Sequence, residues 1–172
     1  MNRIRSACRY VTGLALAGLV ALLPARLTAA TLRGQPVPPF RVVTTSGQPV
    51  SMDNYRGRVL VIDFFATWCQ PCRESIPHLV KMNRQYGKQG LQILGMSVDR
   101  DGEGVLASFT AEHHINYPVA QAEDTLTDAF GVRMVPAMIV IDKKGKVAAV
   151  FRGYSDETAE SMEFLVKKLL AE

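Results

Sequence analysis

The stretch Val59-Leu60-Val61-Ile62-Asp63-Phe64-Phe65-Ala66 is followed at once by Thr67-Trp68-Cys69-Gln70-Pro71-Cys72. Val59–Ala66 is a continuous apolar run broken only by Asp63, the pattern of a central strand buried on both faces. A helix is expected directly after it, over about Pro71–Tyr86, because Ile76, Leu79, Val80 and Tyr86 fall on one stripe. Pro77 lies inside that span and is expected to kink it. The two cysteines therefore stand where a strand ends and a helix begins.

That position has chemical consequences. At a helix N-terminus the unpaired backbone N–H groups and the dipole favour an anion. Cys69 is thus expected to ionise readily and to act as a nucleophile in disulfide exchange. Cys72, one turn further on, is close enough to bond to it, so Cys69 would attack a partner and Cys72 would resolve the mixed disulfide. Pro71 suits the first helical turn. A bare Cys-x-x-Cys is only moderately specific; its place between strand and helix strengthens it. Asp63 is the second candidate. A carboxylate buried among Val61, Ile62, Phe64 and Phe65 is expected to have a raised pKa and to accept a proton behind the dithiol. The plainer alternative is a satisfied polar group, or an acid that reaches the surface.

Outward from this segment, strands and helices alternate. Phe40–Thr44 and Pro49–Met52 flank Ser46-Gly47-Gln48 as a short hairpin. Leu91–Val98 reads as a second buried strand. Val105, Phe109 and His113 mark a helix by their spacing, and Pro118–Ala120 a short strand. Leu126–Phe130 reads as a short helix ended by Gly131. Ala137–Asp142 and Val147–Phe151 flank Lys143-Lys144-Gly145-Lys146 as a hairpin. Met162, Leu165, Val166, Leu169 and Leu170 form the apolar face of a last helix. This order implies an α/β fold, a mixed sheet with helices on both faces.

The chain has 172 residues, 48% hydrophobic and 21% charged, which excludes disordered, collagen-like and polytopic membrane proteins. Three cysteines are too few for a disulfide scaffold. Four arginines (Arg3, Arg5, Arg9 and Arg26) and no acid lie in residues 1–30, so the remainder holds 16 basic and 16 acidic residues. The net charge of +4 belongs to the leader and gives no support for nucleic-acid binding. Residues 1–30 read as a secretory signal: arginines, an apolar run Val11–Leu23, then Pro24 and the small pair Ala29-Ala30. Cleavage is expected near Ala30; an uncleaved anchor is the alternative. No cysteine follows the apolar run, and Arg3 and Arg5 are not adjacent, which argues against a lipoprotein and against twin-arginine export. Cys8 precedes the run and has no expected role. Residues 31–39, with three prolines, read as a linker, and 40–172 as one domain. Cys69 and Cys72 would then be the only cysteines in an oxidising compartment.

The segment Asp63–Cys72 resembles the strand-to-active-site segment of the thioredoxins, including the acid six residues before the first cysteine. Pro77 fits the helix-kinking proline of that family. Phe130-Gly131-Val132-Arg133-Met134-Val135-Pro136 resembles the segment that carries its cis-proline. The resemblance implies that Pro136 faces the dithiol, keeps metals away and leaves the Val135 backbone free to pair with an extended substrate. Without it, a trans Pro136 would be the default. Trp68 and Pro71 join Val135 and Pro136 as expected substrate contacts. The N-terminal hairpin and a helix–strand insert over about Gly104–Ala120 are similar to the exported TlpA/ResA-like branch of thiol–disulfide oxidoreductases. Membership implies a reductant of cysteines in exported, periplasmic proteins, for cytochrome c or copper-site assembly. It would draw on a membrane thiol-reducing donor, work without a cofactor or metal, and be a monomer, touching membrane only if the leader is retained. Three positions depart from relatives. Ser75 stands where many have Glu, Ala137 follows the proline where cytochrome-maturation members have Glu, and Gly95 aligns with the Lys that thioredoxins place beside the buried acid.

Other readings remain. The same scaffold serves a disulfide oxidant or isomerase. Cys69, Cys72 and His78 would suit Cu(I) delivery, provided His78 turns from its expected solvated face. An inert staple has little motive in so small a loop. Haem attachment fails because Arg73 follows Cys72. His113 and His114 read as bland residues at the end of the insert helix. Arg133 and Met134 are candidates for flanking the dithiol.

Overall fold

Strand periodicity divides the central run into two faces. Val59, Val61 and Phe65 point to one side of the sheet, and Leu60, Ile62 and Phe64 to the other. All seven residues of Val59–Phe65 are buried, as a strand covered on both faces requires. The computed structural model describes residues 32–100 and 103–172. The expectations for the leader, its cleavage and Cys8 lie outside those residues.

In chain order the strands are β1 (Arg41–Val43), β2 (Pro49–Ser51), β3 (Val59–Phe65), β4 (Leu91–Ser97), β5 (Val119–Gln121), β6 (Ala137–Ile141) and β7 (Val147–Arg152). The helices are α1 (Gln70–Tyr86), α2 (Glu103–Glu112), α3 (Asp124–Ala129) and α4 (Asp156–Ala171). β1 and β2 form a separate antiparallel pair. The main sheet has the order β5-β4-β3-β6-β7. β3, β4 and β5 are parallel, and β6 and β7 are each antiparallel to the strand before them in that order. One face carries α1, α2 and α4, through Ile76, Leu79, Leu106, Phe109, Met162 and Val166. The other carries Phe40, Tyr55 and Phe130, with Leu126 of α3 and the β1–β2 hairpin. The fold is the expected α/β mixed sheet with helices on both faces. Among the described residues, no helix is long and apolar enough to cross a membrane.

Local chemistry accounts for the boundaries. Ser155 caps α4 by accepting from the Thr158 N–H at 3.2 Å, and Asp156 and Glu157 lie in its first turn. Pro77 lies within α1 and leaves the Arg73 carbonyl without its helical donor. Gly131, at φ 59°, supplies the left-handed residue beyond α3.

One expectation is corrected, and the expected insert helix is found with its buried face defined. Residues 31–39 do not behave as a free linker where described. Leu32 is fully buried, and Gly34 N–H and Val37 N–H donate to the carbonyls of Val147 (2.7 Å) and Gly145 (2.9 Å). This segment pairs with Val147 at the start of β7 and with the turn before it, and closes that end of the sheet edge to another chain. In α2 the buried stripe is Leu106 and Phe109, while Val105 is 46% exposed. The spacing 105/109 and the spacing 106/109 are both helical, and only contact with the sheet selects between them.

Candidate active site

β3 delivers the chain through Ala66 and Thr67 to Cys69, the N-cap residue of α1. The Cys72 N–H donates to Cys69 Sγ at 3.3 Å, so a backbone donor already points at the sulfur that would carry charge. Cys69 and Cys72 are joined in a disulfide with Cα atoms 5.3 Å apart. Cys69 is 5% exposed and Cys72 fully buried, so an approaching partner meets Cys69 first. Pro71 occupies the first turn of α1. Ser75 is buried and donates its hydroxyl to the Cys72 carbonyl at 2.8 Å.

The loop before the dithiol is held by a residue that the sequence did not single out. Asp99 is buried and accepts from the Thr67 N–H (2.9 Å), the Thr67 hydroxyl (3.0 Å) and the Ser97 hydroxyl. Its own N–H donates to Ser97 Oγ at 3.1 Å, and Gln121 Nε2 donates to its carbonyl at 2.6 Å. The Val98 N–H donates to the Phe65 carbonyl at 2.9 Å, which fixes the two loops side by side. The available signal was the Ser97-x-Asp99 pattern at the end of a strand, typical of polar side chains that satisfy nearby backbone.

Asp63 sits on the face of β3 that meets α1, shared with Val61, Phe65 and Cys72. It is fully buried, and neither carboxyl oxygen has a hydrogen-bond partner among the described residues. Burial pushes its carboxyl up to about 7. Its register partners are Gly95 on β4 and Met138 on β6.

The Val135–Pro136 peptide bond is cis, and Val135 packs against the core cluster that contains both cysteines. Trp68 is 69% and Met134 58% exposed. With Val132, Arg133 and Val135 they line a cleft of about 280 Å³. Arg133 is engaged with Asp128 at 2.7 Å on the exposed rim, and Arg100 with Asp124 at 3.0 Å. His113 packs tilted against Phe109 with ring centroids 4.2 Å apart, and Arg73 lies over the same ring. His78 is not on a solvated face. Its Nε2 lies 3.7 Å from Glu163 of α4, a Coulombic contact without a hydrogen bond. Burial outweighs that carboxylate and holds the imidazole below its ordinary value. The Cu(I) reading loses its third ligand, since the imidazole is turned to α4. Among the described residues, no group of three or more His, Cys, Asp or Glu side chains is placed to hold a metal ion.

Residues 32–165 match the Redoxin family. The chain belongs to that family. This Redoxin chain is 27% identical over 137 residues to thiol-disulfide oxidoreductase ResA of Bacillus thuringiensis subsp. konkukian, covering 79% of this chain and 78% of that one. It is 30% identical over 121 residues to ResA of Geobacillus thermodenitrificans, covering 70% and 69%. Among solved structures it is similar to a thioredoxin family thiol:disulfide interchange protein from Chlorobium tepidum TLS. That likeness has a TM-score of 0.72 and 31% identity, covering 80% of this chain and 97% of the other. The protein is a thioredoxin-like, ResA-type Redoxin and a thiol–disulfide oxidoreductase.

Proposed function

We propose that the protein reduces disulfides in exported proteins, with Cys69 as nucleophile, Cys72 as resolving thiol and Asp63 as the proton acceptor behind them. The observation that carries this reading is the Cys69 sulfur at the N-cap of α1, receiving the Cys72 N–H, on the face of β3 that buries Asp63. The Cys69 thiolate attacks a partner's disulfide and releases one partner thiolate. Asp63 then takes the Cys72 proton, and the Cys72 thiolate attacks Cys69 Sγ, releasing the second partner thiolate and leaving the Cys69–Cys72 disulfide. An acid held near neutrality both gives and takes a proton at working pH, which suits a reductant that must be recharged. Trp68 and Met134 form the apolar collar for an unfolded segment. Pro71 and Pro136 shape its floor, and the Val135 backbone pairs with it.

Residues 1–30 act as the export signal, cleaved near Ala30 or kept as an anchor, and place the domain in the periplasm or its equivalent. A membrane thiol donor recharges the dithiol there, and the protein works as a monomer. Substrate cysteines of apocytochrome c or of copper sites fit this placement. In an insulin-reduction assay, the Cys69→Ser protein is expected to lose all activity; full activity would overturn the mechanism. A Cys69–Cys72 potential near about −270 mV supports the direction, and one near about −120 mV would make the protein an oxidant. A Cys72→Ala variant, whose mixed disulfides cannot resolve, identifies the substrates.

A further inference from the structure

Three buried oxygens share one neighbourhood and have no hydrogen-bond partner among the described residues. Asp63 Oδ1 and Oδ2 are two, and the hydroxyl of Tyr117, 6% exposed in the lead-in to β5, is the third. Gly95 connects them. It is the register partner of Asp63 on the adjacent parallel strand, so the positions of their side chains face the same way. A Cβ on Gly95 would lie 3.2 Å from Phe65, on the Asp63 face, and 3.5 Å from Cε2 of Tyr117. The Tyr117 ring therefore covers the slot beside Asp63 that a side chain at position 95 would fill. A phenol donates, a carboxylate accepts, and buried polar groups are almost always paired.

We propose that Tyr117 is a positioning residue for the thiol chemistry: its hydroxyl, which makes no hydrogen bond among the described residues, turns to Asp63 across Gly95 when that carboxyl ionises and sets the pH at which it accepts the Cys72 proton. Burial first, and then the charge of Asp63, hold the Tyr117 phenol well above its ordinary value, so it stays a donor through the working range. The other titratable groups of this face are few. α1 contributes Cys69, Cys72 and, towards α4, His78 and Tyr86, both beside Glu163; Tyr154 packs at the margin. β6, α2 and α4 present Met138, Phe109, Leu106, Met162 and Val166. A donor that bonds only the ionised acid favours ionisation, so Tyr117 offsets part of the burial effect.

The role in catalysis rests on Asp63 acting as proposed above, but the placement of Tyr117 is tested without activity. In the full chain labelled with ¹³C at tyrosine Cζ, the Tyr117 signal is expected to step at the midpoint of the Asp63 carboxyl titration, and absence of the step overturns the proposal. In Tyr117→Phe, which keeps the ring, the Asp63 midpoint is expected to rise by about one pH unit, the effect of losing one hydrogen bond to a charged group. The pH profile for resolution of the mixed disulfide should move with it. An unmoved Asp63 midpoint overturns the proposal. So does a resolution profile that Tyr117→Phe still shifts in an Asp63→Asn background. A normal carboxyl shift with an unmoved resolution profile would instead overturn Asp63 as proton acceptor and leave the contact standing.

Discussion

Replacing Asp63 by Asn is expected to stabilise the protein at high pH and to leave it nearly unchanged at low pH. The carboxyl rises from an ordinary 3.8 to about 7 because burial penalises its charge. Between those values the folded state keeps a proton that the unfolded chain has released, so stability falls as pH rises from about 4 to about 7 and is flat above. About three pH units at about 1.4 kcal/mol each gives about 4 kcal/mol of destabilisation above neutrality. Full burial leaves no solvent screening to reduce it. Asn has the same shape and cannot ionise. Urea unfolding of the oxidised wild type and of Asp63→Asn, from pH 5 to pH 9, isolates this group, because every other titration cancels in the difference. The variant should gain on the wild type with rising pH and level off above about pH 8, at up to about 4 kcal/mol. A difference that does not change with pH would refute a raised Asp63 in the folded state.

Asp99→Ala removes the acceptor of three buried donors around Thr67 and Ser97. It should cost about 3 kcal/mol in urea unfolding and slow alkylation of Cys69 in the reduced protein, as the loop before it loosens. Trp68→Ala, at a side chain 69% exposed, should change unfolding stability by less than about 0.5 kcal/mol while raising KM for a protein disulfide. Unchanged KM would remove Trp68 from the substrate collar.

The elements that the sequence disclosed are those whose cause is local. Val59–Phe65 is apolar on both faces because both are covered, and that condition is written in seven consecutive residues. The position of Cys69 at a helix N-terminus followed from the same run, since the strand stops just before it and Pro71 marks the first helical turn. What escaped has partners far along the chain. Gly34 and Val37 stand among prolines without periodicity, and their backbone partners are Val147 and Gly145, more than a hundred residues later. Asp99 serves Thr67, 32 residues earlier. The α2 stripe depended on which of two helical spacings met the sheet. Asp63 shows the same division most sharply. Its burial was legible from its neighbours on β3, but the group that faces it was not. Gly95, on the adjacent strand, offers no side chain, and Tyr117 reaches over that glycine from outside any strand. A glycine beside a buried acid thus reads in sequence as a missing partner; the ring that fills its place comes from the next element, and the acid's oxygens stay without a hydrogen bond among the described residues.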